Sequence, residues 1–225
     1  MEPNDMMPLP DVNKMLRHPQ KGDLFVPSPA AIDRYRGDPA YACAIGYRMA
    51  AQLAVEHVRQ GAHESFLFYP IVFLYRHHVE LMLKKLILAF GDAGVRRITH
   101  AEHLGQPALK SLEKGKKAHS LQWLWDRLRP MVQALGNSVV PSEEIAGINS
   151  YIRQLNGIDP DSVGFRYTAA IQETKAKLGK AQKHGAEVDI RMFAEAMERL
   201  ANFLDGLDSY VDFMIECDHE VMSDS

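Results

Sequence analysis

The chain has 225 residues, 46% hydrophobic and 24% charged, which is ordinary globular composition and excludes whole-chain disorder or a collagen-like repeat. Two cysteines, Cys43 and Cys217, cannot build a disulfide framework, so a reducing, cytoplasmic setting is expected. The formal net charge of −3 conceals polarity. Between Gly94 and Pro130 there are eight Lys/Arg against three acids, whereas from Gly185 to Ser225 two Arg face eleven acids.

Residues 1–37 are rich in Pro, Asp and Asn without apolar periodicity, and read as an extended N-terminal arm packed through Leu24, Phe25 and Val26. The opening MEPNDMMPLP lacks the positive start and apolar run of a signal peptide. A helical domain is expected over 38–217, followed by an acidic tail at 218–225. Asp38-Pro39 is a helix-start signal, and Gly61 is a natural stop. Between them Tyr41, Ile45, Met49 and Leu53 recur every four residues, flanked by Ala40, Ala42, Ala44, Gly46, Ala50, Ala51 and Ala54. The stripe predicts the packed face, and the small flanks let a neighbour approach closely.

The second helix is predicted from about Phe66 to Phe90. It is apolar enough to raise the membrane question, but Arg76, His77, His78, Glu80, Lys84 and Lys85 interrupt it, so a buried helix is expected and no membrane contact. Residues 91–118 are basic and loose, with one short helix near Ala108 to Glu113. Ser120 should cap a third helix carrying Leu121, Leu124, Trp125 and Leu128, which Pro130 should end or kink. Pro141-Ser142 opens another, with Ile145, Ile148, Ile152 and Leu155 on one stripe and Asn156-Gly157 at its end. The turn-rich GIDPDSVGFRYT and a Lys-rich passage lead to Asp189, the expected cap of the last helix. There Phe193, Met197, Leu200, Leu204, Leu207, Val211 and Met214 alternate steps of four and three, a heptad seam for a bundle or for a second chain. Strand signals are nearly absent, and the expected fold class is all-α.

Chemistry concentrates on the second helix. Arg76, Glu80 and Lys84 lie one turn apart among apolar neighbours, and a buried pair of this kind is costly unless well satisfied. It is an internal tie of the bundle, a ligand or active site, or a partly solvated face. His119 immediately precedes the Ser120 cap, where a neutral imidazole would serve as a general base or bond to a neighbouring loop. Trp123 and Trp125 read as core or subunit-contact residues. Asp159 and Asp161 flank a proline in a turn, and Arg166, between Phe165 and Tyr167, is placed to reach Glu80 or an anion. No phosphate loop, nucleophile elbow, zinc spacing or HEXXH helix appears, so neither metal nor cofactor is expected.

The blocks YRHHVELMLKK, HSLQWLW and DPDSVGFRY, in this order and spacing, resemble a bacterial subgroup of the HEPN-like all-α family over roughly Tyr41 to Phe213. The wider likeness rests on the His-x-Leu-x-x-Leu start at His119 and the late Arg166-Tyr167 pair. The resemblance implies a helical bundle with a long C-terminal heptad helix that forms a homodimer, in RNA-processing, phage-defence or toxin–antitoxin settings. Many such proteins are metal-independent endoribonucleases using an Arg and a His with four to six residues between them, a spacing met here by Arg96 and Arg97 with His103. Two functions follow as expectations. One is a non-catalytic binding or assembly module, with RNA or a protein as partner. The other is an endoribonuclease with Arg76, Glu80, His119 and Arg166 as catalytic candidates and Lys84, Arg96, Arg97, Lys114, Lys116 and Lys117 on the nucleic acid.

Overall fold

The computed structural model describes residues 38–61, 64–91, 95, 112, 116–159 and 189–223. The N-terminal arm expected over 1–37 lies outside them, as do the connector after Asp159 and the Lys-rich passage. Every regular element among the described residues is helical, as the sequence predicts. These are α1 (Pro39–Arg59), α2 (Glu64–Ala89), a 3₁₀ turn (Lys116–His119), α3 (Leu121–Ala134), α4 (Ser142–Ile158) and α5 (Ile190–Ser223).

Helix α2 is the central element, packing against α5 on one side and α3 on another, while α4 lies on α3 and touches α5. Its burial explains its composition. Ile71, Val72, Tyr75, Val79, Met82, Leu83, Leu86 and Ile87 are all enclosed, on more than one side of the helix. Among the described residues no helix is long and apolar enough to cross a membrane.

The heptad seam of α5 is satisfied within this one chain. Met197, Leu200, Leu204, Leu207, Val211 and Met214 are buried, and Phe193 is half-buried against the core. Asp189 caps the helix as expected, its Oδ1 accepting from the Arg191 and Met192 amides at 2.8 and 3.3 Å. The helix continues to Ser223, through most of the acidic segment.

Two local expectations need correction. In α1 the packed face is Ala44, Ala51, Val55 and Val58, with Arg48 between them; Met49 and Leu53 are exposed. A step of four overshoots a full turn by about 40°, so a run of such steps winds around the helix, whereas alternate steps of four and three stay on one face. Of the small residues of α1, Ala44 and Ala51 therefore belong to the docking surface, while Ala40, Gly46 and Ala50 are exposed. Second, Pro130 does not end α3, which runs on to Ala134 and buries Met131 and Val132. That burial offsets the backbone hydrogen bond a proline cannot make. Helix α4 ends as expected, with Asn156-Gly157 in its last turn and Asp159 as its C-cap.

Candidate functional site

The start of α3 and the end of α4 are locked together beside α2. Ser120 caps α3, with its Oγ accepting from the Trp123 amide at 3.3 Å. The same hydroxyl donates to Asn156 Oδ1 on α4 at 3.1 Å, and that oxygen also accepts from the Gln122 amide at 3.3 Å. This junction holds the carbonyls of His119 and Asp159 over one stripe of α2.

Arg76 fills the space between them. Its Nε donates to the Asp159 carbonyl at 3.0 Å, Nη2 to the His119 carbonyl at 2.6 Å, and Nη1 to Glu80 Oε2 at 3.0 Å. Glu80 Oε1 in turn accepts from Lys84 Nζ at 2.8 Å and lies 2.9 Å from His119 Nδ1. Arg76 is 0% exposed and Glu80 1%, whereas the His119 side chain is 44% exposed. Burial by itself would push the Glu80 carboxyl up. The hydrogen bonds from Lys84 and His119 and the charge of Arg76 outweigh it and hold the group below its ordinary range.

The sequence candidates Arg76, Glu80, Lys84 and His119 thus meet at one place, with Asp159 alongside. Arg166, Arg96, Arg97, Lys114, His103 and Asp161 lie outside the described residues. Lys116 and Lys117 lie on the 3₁₀ turn, with Lys117 exposed. Trp125 is core, and Trp123 is half-buried with the Arg127 guanidinium 3.4 Å from its ring centre.

A second network joins α1, α2 and α5, and residue-level reading of the sequence passes it over. Arg48 bonds Glu198 through Nε at 3.0 Å, Asp205 at 2.6 Å and the Asn202 side-chain oxygen at 2.5 Å. Tyr75 donates to the other Glu198 oxygen at 2.9 Å. Burial, then the hydrogen bond and charge of Glu198, push the Tyr75 hydroxyl up. Burial also acts against the Glu198 charge, but Arg48 and Tyr75 hold its carboxyl down. Lys85 pairs with buried Asp208. The acids of α5 therefore meet cations from α1 and α2, and the signal for this was the seven- and three-residue spacing of Glu198, Asp205 and Asp208 beside the apolar seam.

His78 belongs to the same junction. It is 0% exposed, its Nδ1 lies 2.9 Å from the Ala44 carbonyl, and its Nε2 has no hydrogen-bond partner among the described residues. Burial lowers its affinity for a proton, against the pull of the Ala44 carbonyl. The contact requires Nδ1 to carry the hydrogen, leaving Nε2 as a bare acceptor in the core.

Among the described residues no group of three His, Cys, Asp or Glu is placed to hold a metal ion. Chemically, the Arg76 site can anchor backbone and can present one imidazole, backed by a carboxylate, at its edge. Comparison with family models, curated proteins and solved structures gives no match to this chain.

Proposed function

We propose that the protein is a HEPN-like, homodimeric helical module of the cytoplasm that acts by binding and assembly rather than by catalysis, in an RNA-related or phage-defence setting. The setting rests on the sequence resemblance. The observation that carries the non-catalytic reading is the enclosure of Arg76. Arg76 is 0% exposed and each of its three nitrogens donates to a protein acceptor, two of them main-chain carbonyls, so the guanidinium has no open side toward a phosphodiester. A guanidinium that stabilises transition-state charge must face the reacting group. This one faces the helix junction.

One observation favours the ribonuclease alternative. The half-exposed His119 ring abuts the Glu80 carboxylate through Nδ1, a pairing that orients an imidazole and leaves Nε2 as the basic nitrogen. In that reading His119 takes the 2′-hydroxyl proton with Lys84 nearby. The deciding experiment is incubation of the purified chain with single-stranded RNA in the presence of chelator. The module reading expects no cleavage above a buffer control. Turnover that disappears in His119→Ala would replace it with the nuclease.

A further inference from the structure

Helix α1 is held to the bundle differently from the other helices. Its buried apolar side chains are two alanines and two valines, Ala44, Ala51, Val55 and Val58, whereas the other helices bury leucine, isoleucine, methionine or tryptophan. Apolar stabilisation follows the area removed from water, so α1 gains the smallest share of it. Its backbone also runs less close to any neighbour than α2 runs to α3 and α5. What fixes α1 is polar. Arg48 reaches Glu198, Asn202 and Asp205 on α5, and the Ala44 carbonyl lies 2.9 Å from His78 Nδ1 on α2.

His78 is the titratable group at the centre of this attachment, and it is fully enclosed. Around it stand Arg48 on α1, Tyr75 and His77 on α2, and Glu198 and Asp205 on α5. The neutral ring places its one hydrogen on the Ala44 carbonyl. A second proton, on Nε2, meets no acceptor in place and brings a full charge into a dry space that already holds the Arg48 cation. The acceptor it can take is Asp205 Oδ1, which is also buried and without a hydrogen-bond partner among the described residues. Taking it draws that carboxylate from Arg48, whose Nη1 it binds at 2.6 Å. Either way, the proton weakens the attachment of α1.

We infer that α1 is an acid-released strap: charging of His78 undocks it from α2 and α5, while α2, α3, α4 and α5 stay packed on one another. The inference goes beyond the assembly reading and does not depend on it. Release turns Tyr75, Glu198 and Asp205 toward solvent. The remaining helices hold over the same range because their contacts are mostly apolar. The Arg76–Glu80 pair also keeps its charge to lower pH, since the Glu80 carboxyl is held below its ordinary range.

The test is hydrogen exchange of the full chain, read by mass spectrometry and corrected for the intrinsic pH dependence of amide exchange. At every pH the α1 amides should open ahead of those in α3 and α4. Between about pH 7.5 and 5.5 their opening ratio should rise about tenfold, the factor for one proton taken up at the ordinary 6.5 by the open state and refused by the docked one. His78→Gln carries an amide donor for the Ala44 carbonyl and does not titrate, so it should abolish the rise. Opening of α1 together with α3 and α4, at one shared ratio, overturns the strap. A wild-type α1 ratio that stays flat over the range overturns it equally, and both readings stand whether or not the variant folds. A rise that survives in His78→Gln assigns the proton to another group, His77 against Tyr47 being the neighbour on α2, and overturns His78 as the trigger.

Discussion

Arg76 donates from Nε to the main-chain carbonyl of Asp159 at 3.0 Å, across 83 residues of sequence. The bond ties the middle of α2 to the C-cap of α4. A second bond from the same guanidinium holds the His119 carbonyl before α3, so one side chain fixes the relative position of three helices. An apolar side chain at this point would leave two carbonyls unmet, and the guanidinium reaches both of them and Glu80 at once.

Removing one partner of this pair should be costly. Glu80→Ala leaves the enclosed Arg76 with the Asp159 carboxylate, 3.7 Å from its Nε, as its only counter-charge among the described residues and removes the acceptor of Lys84, and a loss of about 3–5 kcal/mol is expected by chemical denaturation. Arg76→Met should be comparably damaging because the His119 and Asp159 carbonyls lose their donors. Unchanged denaturation midpoints in both variants would show that the network is not structural.

The tie between α1 and α5 should be weaker, because its members are partly exposed. Tyr75→Phe removes one hydrogen bond to a charged acceptor, and a loss of about 1–2 kcal/mol is expected. Arg48→Ala leaves Glu198 and Asp205 facing each other without their cation. Hydrogen exchange of α1 amides should accelerate selectively in Arg48→Ala while the α3–α4 amides stay protected.

Acid should destabilise the fold in two windows. His78 holds its proton less tightly in the native state than in the unfolded chain, so the unfolded state takes up the proton first as pH falls through its ordinary value of 6.5. Stability is unaffected above that pH and declines below it. Glu80 has a depressed native value; its contribution is present above the ordinary 4.5 and is lost as pH falls through the native value. A His78→Gln variant should flatten the upper window and keep the lower one in pH-dependent melts. A slope that persists near pH 6 in the variant would point to another group.

Binding and catalysis separate at His119. Because its ring is half-exposed while its carbonyl is held by Arg76, His119→Ala keeps the main-chain bond and loses only the imidazole. The variant should cost far less stability than Glu80→Ala, about 1 kcal/mol, the worth of one hydrogen bond. Near-equal losses in the two would show that the imidazole is part of the structural tie.

Helix identity and the α5 seam were legible in the amino-acid order because apolar spacing and caps are local properties. The α4 stripe and the Ser120 and Asp189 caps were read the same way and are found where expected. The stripe on α1 was misread because one helix has two usable faces and only its neighbour decides which is covered. The Arg76–Glu80–Lys84 stripe was visible as charge inside an apolar helix, but its partners on the far side of the chain were not.

By itself, then, the sequence determined that the chain is helical, that α2 is enclosed with charges inside it, and that α5 carries a continuous seam. These follow from periodicity and hydrophobic burial, which act along one segment at a time. Only the tertiary structure decided that Arg76 is spent on two backbone carbonyls, that the seam closes within one chain, and that the small face of α1 packs while Met49 and Leu53 stay outside. Those outcomes depend on which segments meet, and hydrogen-bond geometry between segments far apart in sequence is set by that meeting.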